Sequence, residues 1–243
     1  MYKKNELKKV ILRIDFKTLH GFVDSFNNQL SAVDHEFKVD LLDTINVMDE
    51  IGPIKKGDSV VTRKQVLIKT KQKQDVNGFA KLTFNDSCIV FEFLSYTCFS
   101  DFINFTKEIL KELFKNDLDI TRTGIRFVNI FEPQYSFDCF SDRGKYFLQN
   151  QPLESDNLSL SRSIIQEEYI NDPIRIKTIF GYYNPTFPSA LFNRNVLLDI
   201  DASLFVRINE SNGMLNYIEK AIHSIESIFE SYITDSMRKK LNG

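Results

Sequence analysis

The run Ile120–Phe131, ITRTGIRFVNIF, restricts the fold of this chain more than any other stretch. It is rich in β-branched and aromatic residues, alternates apolar with polar side chains and carries no helical period, so it reads as one long strand. It lies almost at the midpoint of 243 residues, where one pattern of elements ends and a similar one begins. It also brings unusual polar residues into an interior strand: Arg122, Arg126 and Asn129, with Gly124 between the arginines.

Upstream, Leu7–Phe16 places Lys8, Val10, Leu12, Ile14 and Phe16 on one face, the pattern of a half-buried strand. Phe22, Phe26, Leu30 and Val33 then recur at helical spacing. His35 to Asp58 is mixed in character, ends in Gly52, Pro53 and Gly57, and reads as a loop excursion. Ser59 to Lys73 reads as a strand with a basic side, and Phe79–Phe84 with Cys88–Leu94 as a hairpin turned at Asn85-Asp86. Ser100 and Asp101 cap a helix whose apolar stripe is Phe102, Phe105, Ile109, Leu110 and Leu113.

Beyond the central strand, DRGKYFLQ reads as a short helix and Leu153 to Ser161 as a polar connection. Strands are expected at Ser161–Ile170 and Ile174–Tyr183, turned at Asn171-Asp172-Pro173. Asn184-Pro185 and Phe187-Pro188 break the chain before a strand over Asn195–Asn209, bent at Ala202-Ser203. A final helix carries Leu215, Ile218, Ile222, Ile225, Phe229 and Tyr232 on one stripe, with Arg238, Lys239 and Lys240 near its end, where cations suit the helix dipole.

The order is strand, helix, three strands, helix, then the same again. We therefore expect an α+β fold of two pseudo-duplicated halves, 1–119 and 120–243, in one compact two-lobed domain. Each half would hold an antiparallel sheet with helices packed on one face. ILRIDF at Ile11–Phe16 resembles GIRFVN at Gly124–Asn129, which aligns Arg13 with Arg126. The element order is similar to that of TATA-box-binding-like and helix-grip folds, and fold alone does not give function.

Composition narrows the class. A chain 42% hydrophobic and 26% charged can bury a core, and 22 phenylalanines without a tryptophan mean that phenylalanine builds it. A net charge of −2 argues against a surface that coats nucleic acid, which needs many cations to displace counterions. No run approaches the ~20 apolar residues of a membrane span. Lys8, Lys9, Arg13 and Asp15 interrupt the only stretch resembling an export signal, so a soluble, cytoplasmic protein is expected. Cys88, Cys98 and Cys139 form no CxxC pair and read as reduced thiols.

Arg122 and Arg126 lie four apart on a strand, so both point to one face, about 13 Å apart. Two guanidiniums so placed offer forked donors to an anion, or pair with carboxylates of the facing half. Asp199 and Asp201 share a face in VLLDIDAS, where they either approach a divalent cation or neutralise Arg13, Arg122 or Arg126. The ion-pair reading predicts that at least one of those arginines meets Asp199 or Asp201. His20, His35 and His223 have no zinc spacing, and GxGxxG, GxxxxGK[ST] and GxSxG are absent, so no catalytic residue, metal or cofactor is assigned. Arg63, Lys64, Lys69, Lys71 and Lys73 make the densest basic run, as on an edge strand guarded by lysine, with nucleic-acid binding as the alternative.

Three motifs together resemble a sporadically distributed family of uncharacterised prokaryotic proteins of similar length. They are an N-terminal Tyr-x-x-Asn-x-Leu (Tyr2, Asn5, Leu7), a central Arg-x-Gly-aliphatic-Arg-aromatic-aliphatic-Asn (Arg122, Gly124, Ile125, Arg126, Phe127, Val128, Asn129) and a late Asp-x-Asp (Asp199, Asp201). Glu6 stands where that family has proline. The resemblance brings no activity with it. A patchy distribution is that of mobile, defence or toxin-neutralising modules, and it implies an interaction protein.

The expected function is therefore a non-enzymatic binding or interaction protein that engages a protein partner or a small anionic ligand, with no membrane contact. Its candidate binding residues are Arg13, Arg122, Arg126, Asn129, Asp199 and Asp201. The alternative is a nucleic-acid-binding or processing protein using strand 63–73 with Arg122 and Arg126, and a metal-dependent enzyme at Asp199 and Asp201 comes third. The oligomeric state stays open.

Overall fold

Strict alternation of large apolar side chains, followed by helices with a single apolar stripe, leaves each strand one face to bury, and the computed structural model is built on that rule. It describes residues 6–32, 37–47, 61–70, 80–93, 99–116, 118–133, 135, 137–149, 160–184, 187, 189, 194–205, 207–208 and 210–242, with the backbone alone at 31–32, 37–47, 61–70 and 99–101. The elements are β1 (Leu7–Phe16), α1 (Phe22–Ala32), β2 (Phe37–Val47), β3 (Val61–Thr70), β4 (Ala80–Asn85), β5 (Cys88–Phe93), α2 (Phe99–Leu113), β6 (Ile120–Phe131), α3 (Asp142–Gln149), β7 (Ile164–Asn171), β8 (Ile174–Tyr182), β9 (Val196–Leu204), α4 (Ser211–Tyr232) and α5 (Asp235–Asn242). The fold is α+β, with antiparallel pairing throughout the meanders.

By their contacts these elements gather into two compact units. The first is Ile11–Gly124 with Phe205–Tyr217; the second is Met1–Val10, Ile125–Leu204 and Ile218–Gly243. Both β1 and β6 pass through both units.

In the first unit the strand order is β2-β3-β4-β5-β1-β6. Leu12, Ile14 and Phe16 of β1, Leu82 and Phe84 of β4, and Ile89, Phe91 and Phe93 of β5 are all buried. Phe22, Phe26 and Leu30 of α1 and Phe102, Phe105, Ile109, Leu110 and Leu113 of α2 are buried too, one stripe per helix. The rings interlock: Phe22 stacks on Phe26 at 5.1 Å, Phe26 meets Phe84 edge-on at 5.3 Å, and Phe93 lies 4.6 Å from Phe102. Each buried phenylalanine is worth about 1.5–3 kcal/mol of transfer free energy, and such ring pairs add about 0.5–1.5 kcal/mol. Asn116 closes α2, donating to the carbonyls of Glu112 and Leu113 while its side-chain oxygen accepts from Ser25 and Gln29 of α1.

In the second unit the order is β1-β6-β9-β8-β7. Ile218, Ala221, Ile222 and Ile225 of α4 are buried, as are Met237 and Leu241 of α5. Phe131 lies 5.4 Å from Phe140 and 6.3 Å from Phe229, and Phe180 gathers Phe140, Phe147 and Tyr232 around it. Helix α3 approaches β8 because Gly144 has no side chain: a Cβ there would stand 3.0 Å from the Phe180 ring.

Three expectations change. Residues 37–47 are not part of a loop but the strand β2, paired with β3 from Phe37↔Thr70 to Val47↔Val61 across a bulge at Leu41/Asp43. Its mixed sequence hid it, because pairing with β3 supplies the backbone hydrogen bonds that local pattern did not announce. Strand β9 stops at Leu204, short of Asn209, and Phe205 is outside it. The last helix stops at Tyr232: Ile233 bridges to Phe140 and the Thr234 N–H donates to the Cys139 carbonyl, which leaves Arg238, Lys239 and Lys240 on the separate helix α5. Val33, Cys98, most of Leu153–Ser161 and the side chains of Ser100 and Asp101 fall outside what is described. Among the described residues no helix is long and apolar enough to cross a membrane.

Candidate functional site

Strand β9 buries Leu198, Ile200 and Ala202 toward the helices, so Asp199 and Asp201 emerge on the opposite face. Arg126 of β6 meets Asp199 there in a forked pair, Nε to Oδ1 at 2.8 Å and a terminal nitrogen to Oδ2 at 2.5 Å. The Asp199 side chain is only 5% exposed while that of Arg126 is 46% exposed. Donating hydrogen bonds to Asp199 raises the Arg126 guanidinium above its ordinary value, against the opposing effect of its partial burial. Asp201 adds to the negative field around Arg126. Asn129 is buried, and its side-chain amide donates to the Leu198 carbonyl at 3.2 Å, tying β6 to β9.

The first unit holds the other arginines. Arg122 pairs with Asp15 at 3.3 Å and lies over the Phe205 ring at 5.7 Å, and Arg13 pairs with the same Asp15 at 2.8 Å. Arg13, Arg122 and Arg126 thus each meet a carboxylate. Arg126 takes the partner expected of it, whereas Arg122 and Arg13 take Asp15, which strand spacing around Asp199 and Asp201 did not point to. The histidines His20 and His223 join no cluster, and among the described residues no group of three or more His, Cys, Asp or Glu could hold a metal ion. Tyr2, Asn5, His35 and Lys71–Lys73 lie outside the described residues, as do the side chains of Arg63, Lys64 and Lys69.

A second arrangement, in the second unit, was not anticipated. A groove of about 610 Å³ runs between α3 and β7, lined by Asp142, Arg143, Tyr146, Phe147 and Ile165. Tyr146 is 71% exposed at its rim, and Ile170 and Tyr169, farther along β7, are 77% and 37% exposed. Arg143, which lines the groove, pairs with Glu167, an 11%-exposed carboxylate that also accepts the hydroxyls of Tyr169 at 2.5 Å and Tyr232 at 2.8 Å. Burial, more than any neighbour, raises the Tyr232 hydroxyl above its ordinary value. The available signal was small: Tyr146 is an aromatic residue off the buried stripe of a short helix whose buried positions are Gly144 and Leu148.

No family model matches this chain, and no curated protein matches it.

Proposed function

We propose that this chain is a non-enzymatic interaction protein that engages a segment of a protein partner at the corner formed by α3 and β7. One observation carries the reading: exposed Tyr146 and exposed Arg143 line a groove between α3 and β7, and Arg143 is held in place by Glu167. Tyrosine and arginine are the residues that dominate binding energy at protein interfaces, and apolar exposure of this kind beside a concavity marks an interaction surface.

The charged residues of the central strand support the reading from the other side. Arg122 and Arg126 are each held by a carboxylate, so a small anion or a nucleic-acid backbone would first have to displace Asp15 or Asp199. These residues then act as ties that fix β6 against its neighbours, and the partner contacts lie elsewhere. The resemblance to a patchily distributed prokaryotic family supports placing that partner in a defence or toxin-neutralising system.

The test is affinity purification of the tagged chain from its native host, beside Tyr146→Ser. One dedicated protein should be retained by the wild type and reduced about ten-fold or more by the variant, as expected for loss of an aromatic anchor. Retention of nothing by the wild type, or equal retention by both, overturns the proposal. Nucleic acid bound with an affinity falling steeply with salt would favour the alternative.

A further inference from the structure

The outer edge of β7 is the most informative unexplained feature of the second unit. Among the described residues strand β7 ends the sheet order and pairs on one side only, with β8, from Ile164↔Gly181 to Asn171↔Ile174 without a register shift. The Tyr182 N–H donates to the Ser163 carbonyl at 2.9 Å. In an antiparallel ladder every second residue then turns its backbone toward the partner strand. Ile165, Glu167 and Tyr169 face β8 in this way, while Gln166, Glu168 and Ile170 turn their N–H and C=O groups outward, where no strand among the described residues meets them.

Edges of this kind are ordinarily blunted by proline, by charged side chains (lysine above all), by a bulge or by a covering element, and among the described residues β7 has of these its two glutamates, Glu167 mostly buried and paired with Arg143 and Glu168 exposed. IIQEEYIN has no proline or lysine, its pairing is regular, and five of its eight residues, Gln166 and Glu168 to Asn171, are exposed. Helix α3 stands beside it as a wall. A helix flanking an open edge strand is the arrangement that takes up extended peptides by strand addition, with backbone hydrogen bonds for affinity and alternate side-chain sites for selectivity.

The charges select the occupant. On the face away from the helices, Asp201, Lys177 and Glu168 are consecutive cross-strand neighbours, so the row alternates negative, positive, negative. The next strand outward would place its residue opposite Glu168, where a cation continues the alternation and an anion opposes it. On the helix face, Ile165 opens into the groove beside Phe147 and Tyr146. Ile165 and Glu168 are three positions apart and on opposite faces, so the incoming strand must carry its cation and its apolar side chain at that same spacing.

We propose that β7 accepts an extended segment of a partner protein as an added strand, with Lys or Arg opposite Glu168 and an apolar side chain three positions away against Ile165. This rests on the reading of the chain as an interaction protein and names the chemistry its partner must have. A second copy of this chain fits less well in the antiparallel register centred on Glu168, which sets that carboxylate against its own counterpart.

The experiment uses the full chain and three fluorescein-labelled eight-residue peptides, followed by anisotropy. One carries Lys and Ile three positions apart in a β-branched background; the second has Glu for Lys; the third is the first with alternate backbone nitrogens methylated. The lysine peptide should bind about ten-fold or more tightly than the other two, because a charge-assisted contact and the added ladder are both at stake. Glu168→Lys, a change at an exposed position whose folding is checked by thermal melting, should invert the preference between the first two. Equal binding of the methylated peptide, an unchanged charge preference in Glu168→Lys, no binding of any peptide, or a dimer that the peptide does not dissociate would each overturn the proposal. A host protein captured equally by wild type and Glu168→Lys would sink this inference and leave the interaction reading standing, whereas a wild type that captures no protein would sink that reading itself.

Discussion

Arg126 grips Asp199 with two hydrogen bonds of 2.8 and 2.5 Å, yet the two partners live in different surroundings: the carboxylate is 5% exposed and the guanidinium 46%. The pair is therefore asymmetric, and so are the consequences of breaking it.

Arg126→Ala leaves a buried carboxylate without its counter-charge, while Asp199→Asn leaves only a half-exposed cation that water can reach. Removing one partner of a fully buried pair costs about 3–5 kcal/mol, and exposure of the arginine discounts this to about 2 kcal/mol for Arg126→Ala. Asp199→Asn should cost about 1 kcal/mol. Urea denaturation of the two variants and their combination forms a double-mutant cycle, and equal losses or no coupling would contradict the asymmetry.

Gly181 sits at φ +152°, and a Cβ there would lie 2.2 Å from the Ser163 carbonyl oxygen. Because that oxygen belongs to the backbone leading into β7, no side-chain movement can relieve the clash. Gly181→Ala should destabilise by about 3 kcal/mol or more and loosen β7 from β8. Gly21, at φ +81° with open space around it, is the control: Gly21→Ala should cost about 1 kcal/mol from backbone strain alone. Thermal melts and amide hydrogen exchange in β7 would measure both, and similar losses at the two sites would refute the contrast.

Asn85 is buried, and its side-chain oxygen accepts the Ser87 N–H at 2.9 Å, the Ser87 hydroxyl at 3.0 Å and the Cys88 N–H at 2.8 Å, closing the β4–β5 turn. Asn85→Ala should cost about 2 kcal/mol by orphaning those donors, and Asn85→Asp, which keeps the acceptor, clearly less. Equal loss in the two variants by urea denaturation would show that the acceptor is not what matters.

Tyr135, Tyr182 and Tyr232 all have hydroxyls raised above the ordinary tyrosine value, chiefly by burial, with the Glu6 carboxylate adding to the effect at Tyr135. The folded state thus prefers their neutral form. The stability this contributes is complete below the unfolded value of about pH 10 and is lost as pH rises through the higher folded values. Urea midpoints at pH 8, 10 and 11 should fall across that window, and absorbance at 295 nm should show a late-ionising fraction among the nine tyrosines. All nine ionising together near pH 10 with a flat midpoint would be the contrary result. On the acid side, Lys17 and Lys145 hold Asp119 and Asp138 below the usual carboxylate range, so the small contributions of these exposed pairs are present above about pH 4 and fade as pH falls through the lowered values.

What the amino-acid sequence determined by itself was the set of elements whose stability is local or whose pattern is periodic. β6 runs from Ile120 to Phe131 and α3 from Asp142 to Gln149, at the bounds the residues announce, and the stripes Phe22–Phe26–Leu30 and Phe102–Phe105–Ile109 are buried. Period and composition suffice there, because an amphipathic helix or an alternating strand has only one face to bury. The same logic put Asp199 and Asp201 on a shared face and made Arg126 a fitting partner. Only the tertiary structure decided the rest. β2 exists because β3 pairs with it, and α4 ends at Tyr232 because Ile233 is drawn into a bridge with Phe140. The groove forms because Gly144 lets α3 settle on Phe180 while Glu167 draws Arg143, Tyr169 and Tyr232 together from three elements. Such contacts join residues far apart in the chain, and their free energy comes from mutual burial and charge pairing, which no local window of sequence contains.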